Sequence, residues 1–190
     1  MFIHNEELLM DLKPFPPNPA MATMLLPLME QELSIVLALL CVRHNLPLRQ
    51  AQTAAMMLAT DALNRFELLN AIHVQLMNNA GASDLIEHGL GEYYARHTKA
   101  VALRPIRFEP TGDPLTDLAM IKAQLMRGRI RCDNLLRIAE PELFCLLDVM
   151  RERYQDAIKR ICAASETVDH MICEQQLCDC NPNIDICRLT

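Results

Sequence analysis

Apolar side chains recur at steps of three and four residues through most of this chain, the spacing that gives an α-helix one buried face. The strongest pattern follows Pro141 and Glu142, a favourable pair for the first turn of a helix. It continues over several turns through Leu143, Leu146, Leu147, Met150, Tyr154, Ile158 and Ile161. We therefore predict a long helix here and assign the chain to the all-α class.

Composition supports the same fold class. Hydrophobic residues make up 51% of the 190-residue chain, which has no tryptophan and 5 glycines. Leucine, methionine and alanine dominate the apolar set, and these residues lose little side-chain freedom in a helix. The scarcity of glycine leaves few positions for tight β-hairpin turns. We expect a multi-helix bundle of about six to eight helices, followed by an irregular cysteine-rich carboxyl tail.

Proline-rich and glycine-rich segments divide the chain into regions. The run PFPPNP restricts the backbone and removes amide donors, so it indicates an extended arm. The segment RPIRFEPTGDP indicates the longest internal loop. The expected regions are an amino-terminal helix with its arm (1–19), a first helical half (20–103), a linker loop (104–114), a second helical half (115–177) and the cysteine-rich tail (178–190).

Helix boundaries are predicted from proline, glycine and capping residues. We expect a helix from about Pro27 to His44, and further helices after Ser83 and near Pro114. Residues 47–78 fit either one helix or two, with Thr60 or Asp61 as the cap of a second segment. Gly128 is predicted to end a helix, whereas Asp133 and either Ser165 or Thr167 are predicted to cap later ones.

The sequence predicts a protein with no membrane span. Acidic residues interrupt the amino end before an apolar signal region could form. The most apolar stretch, residues 33–42, is about half as long as a helix that crosses a bilayer. We interpret it as part of a core helix and expect a soluble, cytoplasmic protein.

No motif for enzyme chemistry is present. The sequence has no HExxH or ExxH pair, no glycine-rich phosphate loop and no recognisable nucleophile turn. Its histidines are dispersed along the chain and form no pair at a metal-binding spacing. We therefore expect a non-enzymatic protein without a cofactor, with zinc as the alternative discussed next.

Four cysteines lie close together near the carboxyl end: Cys173, Cys178, Cys180 and Cys187. Together, or with His170 as an alternative ligand, they could bind a tetrahedral zinc ion. Their spacing does not match the paired C-x₂₋₄-C arrangement of common structural sites. Zinc, a disulfide and free thiols therefore remain open alternatives. The other cysteines, Cys41, Cys132, Cys145 and Cys162, are interpreted as small apolar residues of helical faces.

A second candidate site is the arginine segment MRGRIRCDNLLR. Its Arg127, Arg129, Arg131 and Arg137 could contact phosphates. The whole chain carries a net charge of −6, however, and lacks a dense basic block. DNA binding by a transcriptional regulator, with zinc held by the cysteine tail, is therefore the alternative hypothesis rather than the main one.

Protein association is the main hypothesis. The chain contains 12 methionines, many beside leucines, and such surfaces adapt well to partners. Several predicted helices are apolar on more than one face, and a small monomer has limited room to bury them. We expect a regulatory, adaptor or assembly protein that binds other proteins, most simply as a homodimer.

Overall fold

The computed structural model describes residues 16–78 and 103–180, although not the side chains of 78 and 175–180. These residues form four helices and no strand: α1 (Pro19–Arg43), α2 (Arg49–Asn78), α3 (Pro114–Leu136) and α4 (Pro141–Cys180). The all-α class is confirmed. The expected count of six to eight helices is wrong, because the described residues contain four. The helices predicted before residue 14 and after Ser83 lie outside the described residues.

The count is lower partly because the candidate caps Thr60, Ser165 and Thr167 do not interrupt their helices. The Thr60 hydroxyl donates to the carbonyl four residues earlier at 3.1 Å, as do those of Ser165 at 2.9 Å and Thr167 at 2.8 Å. A hydroxyl that bonds backward in this way is compatible with a continuous helix. Residues 49–78 therefore form one helix, and α4 runs unbroken to Cys180. The helical backbone thus reaches residues 178–180, where the irregular tail was expected to begin.

Three further boundary predictions in α1 and α3 are corrected. Helix α1 begins at Pro19 rather than near Pro27, because Asn18 caps it by accepting a hydrogen bond from Met21 N at 3.0 Å. Gly128 lies in the interior of α3 instead of ending it. Asp133 does not start a new helix either, since it lies within α3, one turn from Arg129 and 4.0 Å from its Nε atom.

Other boundaries are confirmed. Helix α3 begins at Pro114 after the N-cap Asp113, whose carboxylate accepts a hydrogen bond from Thr116 N at 3.0 Å. Helix α4 begins at Pro141, with Glu142 in its first turn. Most of the predicted apolar stripes are also buried, and in α2 all six predicted positions are: Ala55, Leu58, Ala62, Leu69, Ile72 and Leu76.

The helices form a four-helix bundle. Helices α1 and α2 form one hairpin, α3 and α4 form another, and the hairpins meet through α1 against α3 and α2 against α4. Each neighbouring pair is antiparallel. For example, Asn18 N at the start of α1 donates to Leu76 O near the end of α2, at 2.9 Å. It follows that α2 ends and α3 begins at opposite ends of the bundle, so residues 79–113 connect the two ends.

The last part of this connection, residues 103–113, lies against the bundle. Arg104 N donates to Glu30 Oε1 of α1 at 3.0 Å, and Ile106 N donates to Ser34 Oγ at 2.8 Å. Thr111 then donates from its backbone N to Asp117 Oδ1 in the first turn of α3, at 2.8 Å. These contacts attach the loop to α1 at its middle and to α3 at its start.

Helix α1 is also apolar and long enough to cross a lipid bilayer, judged by length and composition only. It is longer than the apolar stretch 33–42 because it begins at Pro19. In the bundle, 61% of its most apolar window is buried, and core helices of soluble proteins pass the same test. This observation is therefore weak evidence for a membrane span.

Candidate functional site

Three helices each contribute a polar side chain to a buried cluster at the centre of the bundle, and the fourth contributes a glycine that packs against it. Glu32 of α1 and Tyr154 of α4 are fully buried, and Arg65 of α2 is 1% exposed. Gly128 of α3 lies directly against the Tyr154 ring. We call Glu32, Arg65, Gly128 and Tyr154 the central cluster.

The central cluster is organised around the Glu32 carboxylate. Arg65 Nε donates a hydrogen bond to Glu32 Oε2 at 3.0 Å. Arg65 Nη2 also lies 2.9 Å from this oxygen, which is an ion-pair distance, but it makes no well-aligned hydrogen bond. The Tyr154 hydroxyl donates to the other carboxylate oxygen, Oε1. The Arg65 guanidinium carbon lies 4.8 Å from the centre of the Tyr154 ring, within cation–π range. One carboxylate therefore connects three helices.

Burial and charge determine the protonation states in this region. Burial opposes the charged form of Arg65, but the negative charge of the Glu32 carboxylate outweighs it, so the pKa of Arg65 is raised. Burial and then the Glu32 carboxylate raise the pKa of Tyr154 well above its usual value, which keeps the phenol protonated as a donor. Burial, followed by the charge of Glu32, raises the pKa of Cys132 to about 12.

Glycine fits position 128 because the Tyr154 ring fills the space that a side chain would occupy. A Cβ atom at this position would lie 2.4 Å from Tyr154 Cε1 and 2.6 Å from Cζ. Such distances are well inside van der Waals contact, so the neighbouring groups would have to move. Gly128 thus lets α3 and α4 approach closely enough for Tyr154 to reach Glu32.

The central cluster is enclosed within the bundle, so its groups can hold the four helices in register. Buried polar groups of this kind can specify one arrangement of helices among several. The sequence interpretation missed the cluster. A signal was present, because Glu32 and Arg65 each occupy a position in an apolar stripe: Leu25, Leu28, Glu32, Ile35 and Leu39 in α1, and Ala62, Arg65, Leu69 and Ile72 in α2.

The four arginines proposed for nucleic-acid contact are distributed around α3. Arg129 faces α4, where its Nη1 atom donates to Gln155 Oε1 at 2.5 Å. Arg131 faces α1 and contacts Gln31 and Pro27. Arg127 is exposed and donates to its own helix, and Arg137 is the exposed C-cap residue. The structure therefore does not bring these four side chains onto one face.

Arg131 borders a cleft of about 430 Å³ between α1, the 103–113 loop and α3. Its Nη1 atom donates to Gln31 Oε1 at 2.6 Å and to Pro27 O at 2.9 Å. Gln124 contributes a buried Oε1 atom without a hydrogen-bond partner. Charges of both signs line the cleft, including Glu30 and Arg127. This mixture suits a partner's polar side chain better than a simple anion.

The cysteine predictions have mixed outcomes. Cys132 is buried, as expected for a small apolar residue, but Cys41 and Cys145 are exposed. In the proposed zinc cluster, Cys173 is exposed on α4, and His170 lies 3.4 Å from Glu174 on the same helix. The side chains of Cys178 and Cys180 and the whole of Cys187 lie outside what the structure describes. Among the described residues, no group of three or more His, Cys, Asp or Glu side chains is arranged to hold a metal.

The surface of the bundle carries many apolar side chains. In the described ranges, the large ones that are at least 39% exposed are Met24, Leu37, Leu40, Met57, Leu63, Met77, Ile106, Met120, Met126, Ile130, Ile138 and Phe144. Isolated exposed hydrophobic residues are normal. On α1, however, Leu37 and Leu40 follow the partly buried Leu33 at helical spacing, so these three form a continuous face.

Comparisons with known proteins do not assign a function. No protein-family model, curated protein or solved structure matches the chain. A function must therefore be argued from the geometry above.

Proposed function

We propose that this protein is a non-enzymatic helical module that acts by binding proteins, including a second copy of itself, in a regulatory, adaptor or assembly role. The observation that carries the proposal is the continuous apolar face of α1, formed by Leu33, Leu37 and Leu40. This face lies on a bundle that already has a large buried core. Covering such a face in an interface is favourable by roughly 25 cal/mol per Å² of apolar surface.

The composition of the exposed apolar set also supports the proposal. Methionines recur in it, namely Met24, Met57, Met77, Met120 and Met126. Unbranched, polarisable methionine side chains adapt to differently shaped partners. The cleft beside Arg131 adds charged and polar groups next to α1, as is typical of the rim of a protein interface.

The DNA-binding alternative has less support. Arg129 and Arg131 point toward different neighbouring helices and already have partners there. A protein that bound DNA through this segment would have to release those contacts. Loss of a salt-dependent mobility shift in the Arg129→Ala and Arg131→Ala variants would favour that alternative.

Multi-angle light scattering over a range of protein concentrations tests the proposal. We expect the mass of the untagged protein to exceed the 21.6 kDa of one chain and to rise with concentration. A mass of one chain at every concentration, together with no partner that co-purifies in stoichiometric amount, would overturn the proposal.

A further inference from the structure

The outer face of α1 has the spacing of a helix-pairing surface. We call Leu26, Glu30, Leu33, Leu37, Leu40 and His44 the α1 seam. Its positions are separated by alternating steps of four and three residues, the repeat that keeps one face of a helix against a partner helix. Leu37 is 44% exposed and Leu40 is 39% exposed. Leu33 is partly buried, and Leu26 packs partly against the core.

We propose that the α1 seam packs against the same seam of a second copy, with the two α1 helices antiparallel and crossing near Leu37. The inference rests on the proposed function and identifies the surface that carries out self-association. A symmetric pair of this kind uses one surface twice, and Leu37 lies closest to the two-fold axis.

Charge complementarity selects the antiparallel arrangement. A parallel pairing would place Glu30 beside Glu30 of the other copy, and like charges in an interface are unfavourable. In the antiparallel pairing, Glu30, whose Oε1 also accepts a hydrogen bond from Arg104 N of its own chain, approaches the carboxyl end of the partner helix. That end carries Arg43 in its last turn and His44 as the C-cap. Each of the two symmetric ends then pairs the acidic Glu30 of one copy with the basic Arg43 of the other, so the charges favour one orientation.

The opposite face of α1 favours a protein partner over a lipid bilayer. Glu32 lies on that face, fully buried, and is paired with Arg65 of α2. Insertion of α1 across a bilayer would break this pair and place a carboxylate in hydrocarbon, at a cost of several kcal/mol. Association through the α1 seam leaves the pair intact.

Charge-swap variants at Leu37 provide the test. We expect Leu37→Glu and Leu37→Arg each to reduce the light-scattering mass from two chains to one, because two like charges would meet near the two-fold axis. An equimolar mixture of the two variants should restore a mass of two chains, since opposite charges then face each other. The matched control is Leu63→Glu and Leu63→Arg on α2, where the leucine is 42% exposed and lies outside the α1 seam. These controls should keep the wild-type mass.

Each outcome has a distinct meaning. A wild-type mass of one chain overturns the inference together with self-association. A wild-type mass of two chains that neither Leu37 variant changes overturns the α1 seam but leaves self-association through another face. Monomeric variants whose mixture stays monomeric overturn the crossing near Leu37.

Co-sedimentation of the wild type with phosphatidylcholine vesicles, lost in Leu37→Glu, would assign the face to a membrane instead. Thermal unfolding midpoints that match the wild type at low concentration exclude misfolding as the cause.

Discussion

Both faces of α1 carry exceptions to the usual relation between polarity and burial. The inner face contains the fully buried carboxylate of Glu32, whereas the outer face exposes Leu37 and Leu40. Both faces belong to one helix of 25 residues with few charges. Hydrophobic content alone therefore does not locate the core. Glu32 of the inner face finds partners on α2 and α4, whereas Leu37 and Leu40 of the outer face remain exposed in the described part of the chain.

This difference has an energetic consequence. A buried ion is favourable only while its partners are present, so its removal leaves another group unpaired. An exposed leucine loses little within its own chain when it is shortened. Substitutions on the inner face of α1 should therefore alter folding, and those on the outer face should alter association.

The largest effect is expected for Glu32→Ala. The substitution leaves the Arg65 guanidinium buried without its carboxylate and removes the acceptor of the Tyr154 hydroxyl. Breaking a buried ion pair in this way costs about 3–5 kcal/mol. Urea unfolding followed by circular dichroism should detect a lower free energy of unfolding.

A triple variant tests whether Glu32→Ala lowers stability because it leaves Arg65 unpaired or because the ion pair itself stabilises the fold. Glu32→Leu, Arg65→Met and Tyr154→Phe together replace every polar group of the central cluster, so no unpaired charge remains. Replacing buried ion pairs by apolar residues is often neutral or stabilising. We expect the triple variant to be more stable than Glu32→Ala. Equal loss in both variants would contradict the argument that the unpaired arginine causes the effect.

The next largest effect on the free energy of unfolding is expected within a matched pair of leucines on α1. Leu39 is 1% exposed and Leu37 is 44% exposed, two positions apart on the same helix. Leu39→Ala should lower the free energy of unfolding by about 2–5 kcal/mol, because it opens a cavity. Leu37→Ala should change it by less than about 0.5 kcal/mol, provided that both are measured at concentrations where the chain is monomeric. Equal losses would mean that Leu37 is buried by the chain itself.

Gly128→Ala should lower the free energy of unfolding by a smaller amount, and the sign of the change tests the close approach of α3 and α4. Helix propensity alone would favour alanine by about 1 kcal/mol. The new Cβ atom would instead meet the Tyr154 ring, and overpacking of this kind costs about 1–3 kcal/mol. Thermal and urea unfolding should show net destabilisation. A gain in stability would indicate that α3 and α4 do not approach closely here.

The periodic helices could be predicted from the sequence because their signals are local. The start of α4 at Pro141, the start of α3 at Pro114 and the buried stripe of α2 all follow from spacing and capping. Ser165 misled the prediction and Thr60 left it open, because a hydroxyl can either cap a helix or bond back within it. The sequence pattern alone does not distinguish these two cases.

The central cluster could not be predicted in the same way, because it depends on four helices that are distant in sequence. A charge in an apolar stripe marks Glu32 and Arg65 as unusual but does not identify their partners. Likewise, the spacing of Arg127, Arg129 and Arg131 suggested a shared site, although a helix separates adjacent side chains by about 100° and places Arg129 nearly opposite the others. In both cases, the burial of Glu32 with Arg65 and the spread of the arginines around α3, the position of neighbouring helices decides where a charged side chain lies, and residue type alone does not show it.

The smallest effect is expected for an ion pair at the surface, the direct counterpart of the buried one. Lys159 Nζ lies 3.1 Å from Asp156 Oδ1 on α4, and the two side chains are 68% and 63% exposed. Solvent screens such a pair, so Lys159→Ala should lower the free energy of unfolding by at most about 0.5 kcal/mol, an effect that added salt removes. Urea unfolding at low and high salt measures both properties. The cost of Glu32→Ala should persist at high salt, because ions cannot reach the interior of the bundle. If salt reduced both costs equally, Glu32 and Arg65 would have to be accessible to solvent, and the contrast between the two faces of α1 would no longer hold.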